Sequence, residues 1–398
     1  MDYSENRIVD YTGDSTIGRG AMDVPFLLLT LLLLVVGVVM VLSASFARAY
    51  YSDGNATYYF TRQLFFALTG IAIMILASRF PIGFYRRFSG VILLFSVVML
   101  LLVLVGGVRA NGARRWFQIG SITFQPSEIA KIAVILFDAQ LICQYRKQMD
   151  TFRRGVLPLG IVAAGIIGLL ILEPHLSASI IIVLITATMM FIGGVRLRWF
   201  AAVGGVVAAG GFLAVNVLKY SSERISAWID PFADTSDTGY QIVQSLYAIG
   251  SGGLSGLGLG GSRQKYLYLP EEHNDFIFSV VCEELGFIGA ALILLLFALL
   301  ICRGFWLAMH CRERYSFLVC TGVTALLAFQ VILNVAVVTN LIPCTGISLP
   351  FFSYGGTALW LQLAEMGVIL SISRDIPEKK FFRERKKKQP ERQSGAVV

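Results

Sequence analysis

The chain has 398 residues, of which 56% are hydrophobic and only 15% are charged, and its formal net charge is +8. Soluble domains carry about 25% charged residues, so this chain has too few charges to cover a water-facing surface. A soluble enzyme, a disordered regulator and a coiled coil are therefore excluded, and the composition predicts a polytopic membrane protein.

Apolar runs recur along most of the chain, and a membrane-crossing helix needs about 20 such residues. The pattern predicts an all-α membrane protein with an N-terminal tail at 1–21, a membrane domain at 22–373 and a basic tail at 374–398. About ten spans are predicted, at 25–46, 64–77, 90–108, 129–143, 156–172, 176–194, 200–217, 276–302, 317–339 and 357–371.

The charges between the runs predict the orientation. Ten crossings place both termini on one side, and most of the 33 Lys and Arg fall on the two tails and on alternate loops. Positively charged loops stay in the cytoplasm. We therefore expect both termini to be cytoplasmic and one large loop, at 219–274, to lie outside.

Some basic residues lie on the predicted outer side, although basic residues favour the cytoplasmic side of a membrane. Arg109 and Arg115 follow the third span, and Arg263 and Lys265 lie in the large outer loop. Cations in these places indicate an anionic partner at the outer leaflet. The alternative is that they pair with acidic residues of the same loop.

Glu128 and Lys131 occur at the start of the fourth span, just after Pro126. Positions i and i+3 share a helix face, so the acid and the base can pair. A structural ion pair therefore stays open. Ionisable groups at membrane depth nevertheless indicate function, because their burial is costly.

Segment 340–356 is apolar but contains two Pro, three Gly and several hydroxyl groups, among them those of Thr345 and Ser353. It cannot form a regular spanning helix. Irregular backbone at membrane depth survives only when it is buried in protein or lines a polar cavity. We predict a re-entrant segment that lines a site.

Asp275 is the strongest catalytic candidate because it lies where the outer loop meets the eighth span. As a helix N-cap it would only bind amides of the next turn. Beside His273 and the apolar run 276–278, however, the carboxylate is partly desolvated, which raises its pKa and its basicity.

Two further motifs are less informative. Glu173-Pro-His175 predicts a polar corner between spans five and six, in which a lone histidine favours a structural role. The glycines at 256, 258 and 261 match G-x-G-x-x-G, but no strand–helix context surrounds them. A flexible, turn-rich loop is the better interpretation.

Taken together, these segments resemble the SEDS family of cell-wall polymerases (shape, elongation, division and sporulation), and they are most similar to its FtsW and SpoVE members. One departure is His175-Leu-Ser-Ala178, where the family usually has Asp-Leu-Gly-Thr. The resemblance rests on Asn111-Gly-Ala-Arg-Arg-Trp116, Gln125-Pro-Ser-Glu-Ile-Ala-Lys131, Gly239-Tyr-Gln241, Gln244-Ser-Leu-Tyr247, the run 269–278, Glu283-Glu-Leu-Gly286 and the segment 343–356.

The resemblance implies a glycosyltransferase in the bacterial cytoplasmic membrane that polymerises lipid II at the outer face, in division or sporulation. It implies a class B penicillin-binding protein as partner, together with other division or elongation proteins, and no nucleic acid. It also implies that Asp275 is the essential carboxylate. The residues assigned to substrate binding are Arg109, Arg115, Glu128, Lys131, Arg263, Lys265, His273, Thr345 and Ser353.

The hypothesis is an inverting sugar transfer, with Asp275 as general base and the cations beside the departing pyrophosphate. No cofactor and no metal cage are predicted, although a divalent cation could accompany the pyrophosphate. Two alternatives stay open, a flippase of the lipid-linked precursor and a non-catalytic division scaffold. Broken segments and intramembrane charges also suit a transporter.

Overall fold

The computed structural model describes residues 20–110, 113–120, 122–202, 204–205, 222–233 and 238–376, and most of them are helical. The helices are α1 Val24–Asp53, α2 Tyr58–Arg79, α3 Ile82–Gly106, α4 Pro126–Gln144, α5 Leu157–Leu172, α6 Leu176–Gly193, α7 Ser222–Ile229, α8 Thr238–Gly252, α9 Ile277–Met309, α10 Arg314–Val338 and α11 Gly356–Ser373. The strands are β1 Val108–Ala110, β2 Ala113–Ile119 and β3 Ile122–Phe124.

The helices confirm a polytopic membrane fold. Within the described residues, eight helices are long and apolar enough to cross a membrane, and each covers one of the predicted spans. Helix α4 covers the fourth predicted run but carries three ionisable side chains, Glu128, Lys131 and Asp138. The seventh predicted run, 200–217, lies mostly outside the described residues, as do the two tails.

The two ends of the described chain lie side by side. The backbone N–H of Gly20 donates to the carbonyl of Arg374 at 2.9 Å. Asp23 caps α1 by accepting from the Phe26 amide at 2.9 Å and also pairs with Arg303 near the end of α9. This arrangement is what an even number of crossings requires.

The segment after α3, expected to be a loop, contains a small antiparallel sheet with strand order β1-β2-β3. Arg109 of β1 lies opposite Arg114 of β2, and Phe117 of β2 lies opposite Phe124 of β3. Strand β3 runs directly into α4. The sheet therefore holds β2 against the end of the bundle where α4 begins.

Helix α9 is broken at Gly286, whose φ of 68° and ψ of −172° are not helical. The loop after α8 pairs with the backbone groups at the break: Leu257 N–H donates to the Glu283 carbonyl at 3.0 Å, and Phe287 N–H donates to the Gly253 carbonyl at 2.9 Å. The segment predicted as a flexible loop is rich in turns, but hydrogen bonds hold it to α9.

A similar arrangement supports the predicted re-entrant segment, which has no helix between Thr339 and Gly356. Its backbone is bonded by side chains of neighbouring helices. Asn334 of α10 donates to the Ile347 carbonyl at 2.6 Å, and Gln362 of α11 accepts from the Phe351 amide at 3.0 Å. The buried irregular backbone is therefore satisfied within the protein, as the hydrocarbon environment demands.

We expect Gly256→Ala to destabilise the protein. Gly256 has a φ of 79°, and an added Cβ would lie 2.2 Å from the carbonyl oxygen of Glu284. The backbone strain alone costs about 1–3 kcal/mol. Intrinsic-fluorescence melting in detergent should show a lowered midpoint, whereas the control Gly165→Ala, at a helical site with open space beside it, should melt like the wild type. Equal midpoints would contradict the close packing.

Candidate functional site

A polar cavity of about 630 Å³ opens at the end of the bundle opposite Gly20. Its walls come from the first turns of α4, α6 and α11, the turn before α9, strand β2 and the re-entrant segment. The cavity brings together five of the residues predicted from the sequence, namely Arg115, Glu128, Lys131, Asp275 and Ser353.

Asp275 is held in the cavity wall through its backbone. The Asn334 amide donates to the Asp275 carbonyl at 2.8 Å, and an added Cβ at Gly346 would lie 3.0 Å from the Asp275 carboxylate. Helix α9 begins two residues later, at Ile277, with Phe276 at the N-cap position. The carboxylate therefore borders the cavity instead of occupying the N-cap.

The surroundings of Asp275 favour a basic carboxylate. Burial raises the pKa of Asp275 to about 6, with a further contribution from the Glu271 carboxylate. The Arg115 and Arg224 guanidinium groups act in the opposite direction. At neutral pH the group is therefore deprotonated, and it is a stronger base than an ordinary aspartate.

The turn before α9 is tied to the re-entrant segment. The Ser353 hydroxyl donates to the Asn274 carbonyl at 2.8 Å, and Tyr354 N–H donates to the His273 carbonyl at 2.8 Å. The His273 ring is buried and lies 4.6 Å from the ring of Tyr59, centroid to centroid. Ser353 thus reaches the cavity, while His273 packs behind the wall and fixes the position of the turn.

Arg115 and Lys131 are two of the cationic residues that line the cavity. Lys131 is 2% exposed, and its ammonium group lies 2.7 Å from the Glu128 carboxylate, so the predicted i, i+3 pair forms. Arg115 donates to the carbonyl of Glu173 at 3.1 Å and to the carbonyl of Pro174. The α5–α6 corner therefore fixes the guanidinium group.

Other predicted site residues do not reach the cavity. Arg109 is exposed on the edge strand β1, and the side chain of Arg263 is exposed in the outer loop. Thr345 is buried, and its carbonyl accepts from the Ser177 hydroxyl, which joins α6 to the re-entrant segment. Lys265 is also buried, outside the cavity.

Lys265 takes part in a structural network that pins the outer loop. Its ammonium group lies 2.8 Å from the Glu284 carboxylate, which also accepts from the Ser43 hydroxyl of α1. Further along the loop, Arg48 of α1 makes a two-point ion pair with Glu272, at 2.7 and 2.8 Å. The loop cation predicted to bind substrate thus joins the loop to two helices.

The cavity also contains residues that the sequence analysis did not assign to it. His175 and Gln125 line it, and Tyr58 and Arg62 line the wall at the start of α2. Arg62 donates to the Tyr58 hydroxyl at 2.7 Å. The predicted second span began at residue 64, so this polar i, i+4 pair was left in a loop.

The arrangement can accept a proton at one place and neutralise an anion at another. The Asp275 carboxylate can take up the proton, and Arg115 and Lys131 are cations held in place by their partners. Within the part of the chain that the structure describes, no three His, Cys, Asp or Glu side chains come together as a metal-binding group.

The fold and the cavity define a class: a polytopic membrane protein in which a broken helix and a re-entrant segment build a polar site. A family model described as cell cycle protein, and named for FtsW, RodA and SpoVE, matches residues 24–377. The chain belongs to this family.

Similar proteins cover nearly the whole chain. Stage V sporulation protein E of Bacillus subtilis is 40% identical over 362 residues, which are 90% of this chain and 99% of that protein. A probable peptidoglycan glycosyltransferase FtsW of Coxiella burnetii is 38% identical and covers 88% of this chain and 96% of its own length.

Solved structures agree. The Thermus thermophilus rod shape determining protein RodA matches with a TM-score of 0.66 and 28% identity, covering 90% of this chain and 99% of that one. A chain from a peptidoglycan synthase complex, described as coordinating polymerization and crosslinking, matches with a TM-score of 0.74 and 27% identity over the same shares.

The buried ion pair between Lys265 and Glu284 should contribute to the stability of the protein. Lys265→Met leaves a buried carboxylate without its cation, which should lower the melting midpoint by roughly 5–10 °C. The double variant Lys265→Met, Glu284→Leu should recover most of that loss, because neither charge then remains. If the single variant melts like the wild type, Lys265 has no structural role.

Proposed function

We propose that the chain is a peptidoglycan glycosyltransferase that joins lipid-linked disaccharides into β-1,4 glycan strands. The names of its relatives support this activity. The observation that carries the proposal is Asp275, a carboxylate of raised pKa in a cavity that also contains Arg115 and Lys131.

The reaction is a single displacement with inversion. The acceptor's sugar hydroxyl oxygen forms a bond with the donor's anomeric carbon, while the bond from that carbon to the pyrophosphate oxygen breaks. Asp275 takes the hydroxyl proton, and the pyrophosphate leaves with the bonding electron pair. A positioned base contributes about 10²- to 10⁴-fold to such a rate.

The cations act on the leaving group. Arg115 is fixed by backbone carbonyls and Lys131 by Glu128, so neither has to reorganise as charge develops on the pyrophosphate. Preorganised charges of this kind are the ones that stabilise a transition state. A divalent cation can arrive as part of the substrate, bound to its pyrophosphate.

The substrate's prenyl tail can stay in the bilayer while the sugars enter the cavity. Most of the basic residues lie on the tails and on the loops at the end with Gly20, so the positive-inside rule directs the cavity outward from the bacterial cytoplasmic membrane, with both termini in the cytoplasm. A class B penicillin-binding protein is the proposed partner, because the synthase complex that this fold matches combines polymerization with crosslinking.

Asp275→Asn should abolish polymerisation. The amide has nearly the shape of the carboxylate but cannot accept the proton, so the rate should fall by about 10²- to 10⁴-fold. The measurement is gel analysis of labelled lipid II products made by purified protein in liposomes with its partner. Penicillin excludes crosslinking, and moenomycin excludes a contaminating polymerase of the other class.

The matched control is Asp150→Asn. Asp150 makes an exposed ion pair with Arg196, away from the cavity, and such pairs contribute little. This variant should polymerise like the wild type. Glycan strands of normal length and yield from Asp275→Asn would remove Asp275 from the mechanism.

The pH dependence should report the same group. The base works only when deprotonated, and the pKa of Asp275 is raised to about 6. The polymerisation rate should therefore fall as the pH drops through 6. Glu271→Gln removes a neighbouring negative charge, which lowers the pKa of Asp275 and should move the acid limb to lower pH. If the acid limb of the pH–rate profile stays in place or moves to higher pH, the assignment of Asp275 as the base is contradicted.

A further inference from the structure

His175 is a cavity residue that the proposed mechanism does not use. It lies at the N-cap position of α6 and is 7% exposed. Its amide donates to the Leu170 carbonyl at 2.8 Å, and its carbonyl accepts from the Ser179 hydroxyl at 3.1 Å. The α5–α6 corner therefore holds the backbone of His175, and the residue lines the cavity.

The two ring nitrogens of His175 have different surroundings. The Gln125 side-chain nitrogen lies 3.4 Å from Nε2. An amide nitrogen only donates, so with the Gln125 amide in this orientation Nε2 accepts and the proton of the neutral ring sits on Nδ1. Nδ1 is buried and has no hydrogen-bond partner among the described residues. A buried donor without a partner is costly and calls for an acceptor.

The charges around His175 keep the ring neutral. Burial lowers its pKa to about 3, and Arg115 of β2 and Lys131 of α4 act in the same direction. Glu128 is already paired with Lys131. Glu173, in the same corner, has its own pKa raised to about 8 by burial, so at neutral pH it adds little negative charge.

The first turn of α6 also carries positive charge toward its N-terminal end. The His175 side chain makes no capping bond to this helix, and Ser177 and Ala178 of the first turn line the cavity. The first amides of a helix have no partner within the helix, and they carry the positive end of its dipole. The first-turn amides of α6, the imidazole of His175 and two cations thus belong to residues that line one cavity, and all of them favour an anion.

We propose that His175 Nδ1–H and the first turn of α6 bind the diphosphate of the prenyl-linked donor, with His175 as a substrate-positioning donor. This inference rests on the proposed function, which supplies a prenyl diphosphate as substrate and product. Arg115 acts on Asp275, Glu173 and His175 alike. Arg115 therefore acts on the base and on this subsite together, and Arg115, Asp275 and His175 all line one cavity.

The test compares two amides that mimic different ring nitrogens. Asn at position 175 places its side-chain nitrogen near the site of Nδ1, whereas Gln places it near the site of Nε2. A hydrogen bond to a charged group contributes about 10- to 100-fold to affinity. His175→Ala and His175→Gln should therefore weaken binding of farnesyl pyrophosphate at least about 10-fold, and His175→Asn should stay within about threefold of the wild type.

Titration calorimetry on the purified full-length protein in detergent measures this affinity without any sugar transfer. Farnesol, which has the same chain but no phosphate, should bind equally to all variants. His310→Asn, at the other end of α9, should bind like the wild type. If His175→Ala destabilises the protein, the Asn and Gln variants still decide the question, because both retain a polar side chain.

Three results would overturn the inference: unchanged binding of farnesyl pyrophosphate by His175→Ala, rescue by Gln but not by Asn, or an equal loss for farnesol. Failure of the wild type to polymerise lipid II would instead contradict the proposed function. The binding comparison would stand in that case, because it involves no polymerisation.

Discussion

The structure depends on one constraint: inside a bilayer, every backbone N–H and C=O must find its partner within the protein. Among the described residues, two segments break the helical pattern at membrane depth, and the backbone of each is bonded by other elements. The break at Gly286 pairs with the glycine-rich loop that follows α8. The re-entrant segment is bonded by Asn334 and Gln362. Irregular backbone of this kind leaves room for a polar cavity that a bundle of complete helices would fill.

Two ion pairs, one buried and one partly exposed, hold the outer loop that leads to the cavity. Lys265 with Glu284 and Arg48 with Glu272 join the outer loop to α1 and α9. Taking Lys265, Glu284 and Glu272 out of water is expensive, so their ion pairs must keep their geometry to offset that cost. The turn that carries Asp275 lies between these anchors and the re-entrant segment. A base held in this way needs no reorganisation at the moment of reaction.

Electrostatics divides the cavity into two parts. Around Asp275, burial and the Glu271 carboxylate raise the pKa, which makes the group ready to take a proton. Around Lys131, the cation, the first turn of α6 and the Nδ1–H of His175 together favour an anion. Arg115 lines the same cavity and lowers the pKa of both Asp275 and His175. A single polar cavity can therefore hold a nucleophile's proton and a leaving group's charge at different places.

The sequence by itself determined the membrane class, the approximate spans, the possibility that Glu128 pairs with Lys131 and the place of Asp275 where the outer loop meets a span. These properties follow from local composition and helical spacing. It could not distinguish Lys265 from the cations that reach the cavity. Lys265 is held in an ion pair with Glu284, and such a contact depends on how segments far apart in the chain pack together. For the same reason, only the tertiary structure brought His175 to the cavity and left its Nδ1 without a partner. Spacing along a helix is encoded locally, whereas contacts between helices are decided by how the whole bundle packs.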